Sequence, residues 1–252
     1  MAPLRPVPFP SMTETIDRSE YVWHGRTGPF PLELTPLVFK PTHTSRVLAD
    51  VLEVRPGDTV LDVGCGSGVL SFVTARLGAS RVVGCDASPD AVAVSRENAA
   101  ALGLTDRTEF REGNVLEPVR DVHADVVIGD ISGIPDEIAR LAGWFPDGRS
   151  GGPTGAELPV SMLEDLGDCL VPGGSMYLPT GTLQAENRVM EAARRVFGAG
   201  NLQRIAEREL PLPTLVAKSK AVARMMADGL LNLRARGSRL LWRLSIWRCV
   251  RD

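Results

Sequence analysis

Apolar residues fall along this chain in two alternating rhythms. Short clusters such as Val60, Leu61 and Val63, bounded by polar or glycine residues, read as buried strands. Longer stretches repeat their apolar residues every three or four positions and read as amphipathic helices. Strands are expected at 59–63, 81–85, 108–112, 124–128, 175–178, 202–210 and 240–250. Helices are expected within 38–53 after the Pro41 turn, from 69 to near 78, and at 89–102, 161–170, 183–197 and 214–233. Thr42, Thr44 and Ser45 offer N-cap oxygens to the first helix, while Gly78 and Gly103 mark the ends of the next two. Strands alternating with helices predict an α/β fold on a parallel sheet.

The last segment changes character. In 240–250, Leu240, Trp242, Leu244 and Ile246 alternate with Arg243, Ser245 and Trp247, the period of a strand added at a sheet edge. The reading divides the chain into an N-terminal arm or lid, 1–37, either closing over a site or packed on the body as a non-helical segment, and one domain, 38–252. That domain includes an inserted basic helix, 214–236, and the final strand, 240–250. The arm is proline-rich at its start and then gathers Tyr21, Trp23, His24 and Phe30 among Gly25, Gly28, Pro29 and Pro31. Residues 131–160 read as loop-rich, with a flexible glycine tract at 148–155.

The first strand runs into Gly64, Gly66 and Gly68, small residues where a side chain would block a ligand, and then into a helix. Asp62 precedes that turn. Asp86 stands at the end of the second strand, Asn114 just past the third, and Asp130 just past the fourth. In an open parallel sheet these carboxyl ends share one rim, so residues distant in sequence converge where such folds bind ligands.

Composition narrows the partners. With 252 residues, 44% hydrophobic and 23% charged, the chain suits a single large globular domain. A net charge of -3 gives no overall pull toward nucleic acid or membrane, although 214–252 carries nine Lys or Arg against two Asp. That basic segment reads either as a solvated helix and edge strand or as a phosphate-holding surface. Cys65, Cys85, Cys169 and Cys249 lie far apart with no C-x-x-C pair, which argues against a disulfide framework and a metal site. The N-terminus has no continuous apolar stretch, so neither a signal segment nor a spanning helix is expected and the location is expected to be cytoplasmic.

Two ligands suit a strand, glycine turn and helix followed some twenty residues later by an acid: a dinucleotide and S-adenosylmethionine (SAM). A dinucleotide fingerprint places glycine three residues after the second one, where this chain has Val69. Asp62 would repel a pyrophosphate and attract an ammonium. SAM therefore fits better. The expected cofactor residues are Asp62, Gly64, Cys65, Gly66, Gly68, Asp86, Ala87, Asn114, Val115 and Asp130, with Asp86 accepting from the ribose hydroxyls and Asn114 addressing the adenine edge.

TVLDVGCGSGVLS, VVGCDAS, GNV and ADVVIGD resemble, in order and spacing, the motifs of class I SAM-dependent methyltransferases over about residues 38–200. VFKPTHTS, GGPTGAE and LVPGGSMYL are most similar to the release-factor glutamine and ribosomal-protein N-methyltransferase relatives. The resemblance implies a Rossmann-like seven-stranded sheet, order 3-2-1-4-5-7-6, with the last strand antiparallel and helices on both faces. It also implies N-P-P-Y after the fourth strand, where this chain carries Asp130-Ile131-Ser132-Gly133.

Methyl transfer asks the protein to align a nucleophile and exclude water. Asp130 can accept a proton from an amine; a hydroxyl would need a base such as His24 or His43. Ser132 completes the catalytic candidates, and Tyr21, Trp23, Thr42 and Ser132 are the candidate substrate contacts. The leading reading is a SAM-dependent methyltransferase acting on a small-molecule amine or amino-acid-like substrate. Two alternatives stand beside it: a SAM-consuming cyclase or lyase that releases methylthioadenosine, and a nucleic-acid or protein binding module that keeps the fold.

Overall fold

The computed structural model describes residues 18–145 and 150–252. The proline-rich start of the arm, and Gly148 and Arg149 of the glycine tract, lie outside the described residues. In chain order the elements are β1 (Ser19–Trp23), β2 (Phe30–Leu34), α1 (His43–Val51), β3 (Thr59–Val63), α2 (Val69–Leu77), β4 (Arg81–Asp86), α3 (Pro89–Ala101), β5 (Thr108–Glu112) and β6 (Ala124–Gly129). There follow α4 (Asp136–Ala142), α5 (Glu157–Glu164), β7 (Leu170–Gly181), α6 (Glu186–Phe197), β8 (Leu202–Pro211), α7 (Thr214–Ala217), α8 (Lys220–Ala227), β9 (Arg234–Arg236) and β10 (Arg239–Val250).

The large sheet has the order β5-β4-β3-β6-β7-β10-β8, with β9 paired to the start of β10. Strands β3 to β7 pair in parallel, and β10 is antiparallel to both β7 and β8. Counted over the seven main strands this is the expected 3-2-1-4-5-7-6. Because side chains alternate across a strand, Val60, Val82, Val126 and Tyr177 face a layer made by α1, α2, α3 and the N-terminal hairpin. Leu61, Val83, Val127 and Met176 face the opposite layer with α5 and α6. Burial on both faces explains why the central strands read as short continuous apolar runs.

The structure alters several of the expected elements. Residues 18–34 of the arm pack on the body as a non-helical segment: β1 and β2 form an antiparallel hairpin whose Trp23, Leu32 and Leu34 are fully buried. The hairpin tip is fastened by Arg26, whose guanidinium donates to the carbonyls of Ala49 at 3.2 Å, in the last turn of α1, and of its C-cap Leu52 at 2.5 Å. The loop-rich stretch 131–160 contains α4, which starts with Asp136 and Glu137 in its first turn and ends at Gly143, and the first residues of α5. The fifth strand is longer than its apolar run, because Val171 to Gly174 continue into β7, where Gly173 and Gly174 bond the backbone of Arg251.

The single basic helix is broken in two. Helix α7 ends at Lys218; Ser219 then accepts from the Val222 N–H at 3.2 Å and caps α8, and Gly229 at φ 70° turns the chain away. Val216, Val222 and Met225 join Ile138, Leu183, Leu231 and Leu233 in a small separate core next to the carboxyl end of β7. Within β10 the expected alternation gives way to burial on both faces, since Leu244, Ser245 and Ile246 are all enclosed. All four cysteines are buried free thiols. Among the described residues, no helix is long and apolar enough to cross a membrane.

Candidate cofactor and acceptor site

The glycine turn is braced from the neighbouring strand. The N–H groups of Gly64 and Cys65 both donate to the Cys85 carbonyl, at 2.8 and 3.0 Å, and the Gly66 N–H donates to Asp86 Oδ2 at 2.9 Å. The other Asp86 oxygen accepts from the Ser88 N–H at 2.9 Å, so the carboxylate joins the turn to the start of α3. Gly64 sits at φ 79°, and a Cβ there would lie 2.9 Å from the Asp130 carbonyl oxygen. Gly66, at φ 54°, is different: a Cβ there would enter open space. The turn is therefore rigid behind and open in front, which suits a ligand lying against backbone.

Two carboxylates are held close under this turn. Asp62, 1% exposed, accepts from the Ser71 hydroxyl at 2.6 Å through Oδ2, while its Oδ1 is buried without a partner. Burial pushes its carboxyl up to about 6, against the pull of Ser71. Asp130, half-buried one residue past β6, accepts from the Ser45 hydroxyl at 3.4 Å. Burial and the nearby Asp62 push it up to about 7. Two crowded carboxyls and an orphaned buried acceptor make a place that a cation would stabilise. The methionine end of SAM carries an ammonium and a sulfonium, so the residues present fit it.

The rim gathers most of the expected cofactor residues. The Gly113 N–H donates to the Asp86 carbonyl at 3.0 Å, which brings Asn114 and Val115 beside the end of β4. Val115 has φ 49°, a strained position for a β-branched residue, and its carbonyl accepts from the Cys85 thiol. Ala87 is half-buried next to Asp86. Cys65 is enclosed and serves the turn through its backbone. Gly68 accommodates the Phe72 ring, which a Cβ would approach to 2.6 Å.

The acceptor-side candidates divide. Ser132 follows Asp130 directly after Ile131, and its hydroxyl oxygen is buried without a partner. His43 is exposed at the first position of α1, two residues from Ser45, and so stands near this rim. Thr42 is the N-cap of that helix, its hydroxyl taken by the Thr44 N–H at 3.2 Å. Trp23 is removed from the substrate contacts: it is fully buried, its indole N–H donates to the Arg26 carbonyl, and the Arg46 guanidinium covers its ring. His24 is removed as well, because it lies next to the hairpin tip that Arg26 ties to the opposite end of α1 from Ser45. Tyr21 is partly buried against the same core as Trp23.

Sequence reasoning missed the residues that hold these groups. Ser71 clamps Asp62 from one turn into α2, Ser95 donates to the Gly66 carbonyl at 2.9 Å, and Asn98 bridges the carbonyls of Ser67 and Glu33. Ser45 was visible only as a capping oxygen. Gln184, two residues beyond Thr182, lies in the turn between β7 and α6, where the apolar pattern alone reads as the start of a helix.

Residues 42–142 match the ribosomal protein L11 methyltransferase family. The chain is 48% identical over 89 residues to the ribosomal protein L11 methyltransferase of Pelotomaculum thermopropionicum, covering 35% of this chain and 28% of that protein. It is 32% identical over 183 residues to the release factor glutamine methyltransferase of Moorella thermoacetica, covering 68% of this chain and 64% of that protein. The chain thus spans less than two thirds of the length of either relative. Among solved structures, a ribosomal protein L11 methylase from Lactobacillus delbrueckii subsp. bulgaricus superposes with a TM-score of 0.53 at 19% identity, over 87% of this chain and 84% of that one. The superposition speaks for the fold.

Proposed function

Starting from a chain that belongs to the class I SAM-dependent methyltransferases and is related to the ribosomal protein L11 and release factor glutamine groups, we propose that it methylates an amine or amino-acid-like nitrogen. The observation that carries this reading is the pairing of an open-fronted glycine turn with the orphaned Asp62 oxygen, beside the Asp130 carboxylate. Bound SAM supplies an activated methyl group on a sulfonium. Asp86 and the Gly64 to Gly68 backbone would hold the cofactor, and Asp62 would take its ammonium. Asp130 would accept a hydrogen bond from the incoming N–H and receive its proton as the nitrogen becomes cationic. With His24 removed, a hydroxyl acceptor would have to rely on His43 among the described residues, whereas a nitrogen can use Asp130 itself.

A free small molecule is the acceptor expected from the altered N-P-P-Y segment. Relatives named for a ribosomal protein and a release factor support a second reading, in which the same nitrogen is carried on a protein chain. A cytoplasmic location accompanies either. Nucleic-acid binding draws little support from the basic segment, since Arg224, Arg234, Arg243, Arg248 and Arg251 pair with Glu137, Glu209, Glu186, Glu53 and Asp168. The test is to incubate the protein with SAM and candidate free amines or peptides and identify the products. S-adenosylhomocysteine with a methylated nitrogen supports the proposal; methylthioadenosine means cyclase or lyase chemistry and overturns it.

A further inference from the structure

Gln184 lies in the turn between β7 and α6 and is 7% exposed. Its backbone is fixed on both sides: the N–H donates to the Gly181 carbonyl at 3.2 Å, and its carbonyl accepts from the Glu186 N–H at 2.7 Å. The next N–H, of Ala185, donates to the Thr154 carbonyl at 3.0 Å, which ties the turn to the 150–155 segment. The side chain extends to the loop that follows Asp130. A Cβ at Gly133 would collide with Gln184 Oε1, so glycine is needed there for the amide to approach.

Gln184 Nε2 is buried with no hydrogen-bond partner, and so is Ser132 Oγ. A buried polar group left unpaired is destabilising, and here two such groups flank Gly133, Ser132 Oγ on the preceding residue and Gln184 Nε2 across the loop. The amide nitrogen can only donate, and the hydroxyl can donate as well as accept. Asp130, two residues upstream of Ser132, supplies an acceptor. The loop therefore presents two neutral donors next to one acidic acceptor. Two such donors match an oxygen, and the proximity of Asp130 and Asp62 favours a neutral carbonyl over a carboxylate.

We infer that Gln184, assisted by Ser132, is a specificity-determining residue of the acceptor pocket, binding a neutral carbonyl oxygen adjacent to the nitrogen that Asp130 receives. This rests on the nitrogen-methylation reading above. Gly133 keeps the place that the amide needs, so the departure from N-P-P-Y exchanges a bulky segment for an orienting donor pair.

Three probes of matched shape separate the chemistry: alaninamide, alanine, and 3-methyl-2-butylamine, which replaces the carboxamide by an isopropyl group. Binding of each at millimolar concentration to the protein saturated with S-adenosylhomocysteine is followed by ligand-observed NMR, for the wild type and for Gln184→Glu and Gln184→Leu. The inference expects alaninamide to bind at least tenfold better than the other two, and to lose at least tenfold in both variants. S-adenosylhomocysteine affinity and the melting temperature, which report the fold, are expected to stay unchanged. Equal binding of the three probes, no binding of alaninamide, or variants that bind it like the wild type would overturn it. If alaninamide is ignored while SAM still yields S-adenosylhomocysteine with another amine, only this inference fails. If SAM is neither bound nor converted, the nitrogen-methylation reading fails, whatever the probes do.

Discussion

At the scale of residues, two crowded carboxylates dominate. Asp62 and Asp130 titrate at about 6 and about 7 in the folded chain, while in an unfolded chain each would titrate near 3.9. The folded state therefore holds protons that the unfolded chain has already lost, so these residues erode stability as pH rises from about 4 through about 7. Asp130→Asn removes that penalty: the ligand-free variant is expected to melt higher than the wild type at pH 8 and alike at pH 4, by roughly 2–4 °C for each kcal/mol relieved. Calorimetric scans at the two pH values decide it. Binding of a cationic cofactor should lower both carboxyl values and expel protons, so SAM affinity is expected to rise between pH 5 and pH 7.5. Titration calorimetry in two buffers of different ionisation enthalpy would show the released protons. Asp62, Asp86 and Asp130 were legible in the sequence because strand ends share a rim. Ser71 and Ser95 were not, since a serine inside a helix has no pattern that announces which carboxylate or carbonyl it reaches.

At the scale of elements, the glycine turn and α1 separate binding from stability. Gly66→Ala places a methyl group in open space at φ 54°. The strain costs about 1–2 kcal/mol, and the variant is expected to fold but to lose SAM binding, as measured by calorimetry. Arg26→Ala is the converse: it leaves the last carbonyls of α1 without their guanidinium and is expected to destabilise by about 1–3 kcal/mol in urea unfolding, with SAM affinity unchanged. The strands and most helices of the central βα units were legible because their apolar period and their caps agree, as at Thr42 and Ser88. The hairpin was not, because its Gly25, Gly28, Pro29 and Pro31 hide an alternation of buried Phe30, Leu32 and Leu34. The break at Ser219 was not either, because a capping serine within a run of helix-forming residues looks like part of the run.

At the scale of the whole molecule, charge placement matters more than net charge. Among the described residues, Arg224, Arg234, Arg243, Arg248 and Arg251 of the basic segment pair with carboxylates elsewhere on the body. RNA binding at physiological salt is accordingly expected to be no tighter than the non-specific range, about 10⁻⁴–10⁻⁶ M, and a filter-binding titration with and without added salt would show it. The order of the seven main strands and the antiparallel direction of β10 followed from resemblance. The placement of α4, α7 and α8 in a small core of their own depends on contacts between segments some eighty residues apart, which no local period encodes. The central claim is that this rim binds SAM and directs its methyl group to a nitrogen. Its most direct test is mass spectrometry of the products formed from SAM carrying an isotope-labelled methyl group, with free amines, amino-acid amides and peptides as acceptors. The prediction is S-adenosylhomocysteine and labelled nitrogen in equal amounts, both lost in Asp86→Ala and Asp130→Asn. Labelled methylthioadenosine, or SAM recovered unbound and intact, would contradict it.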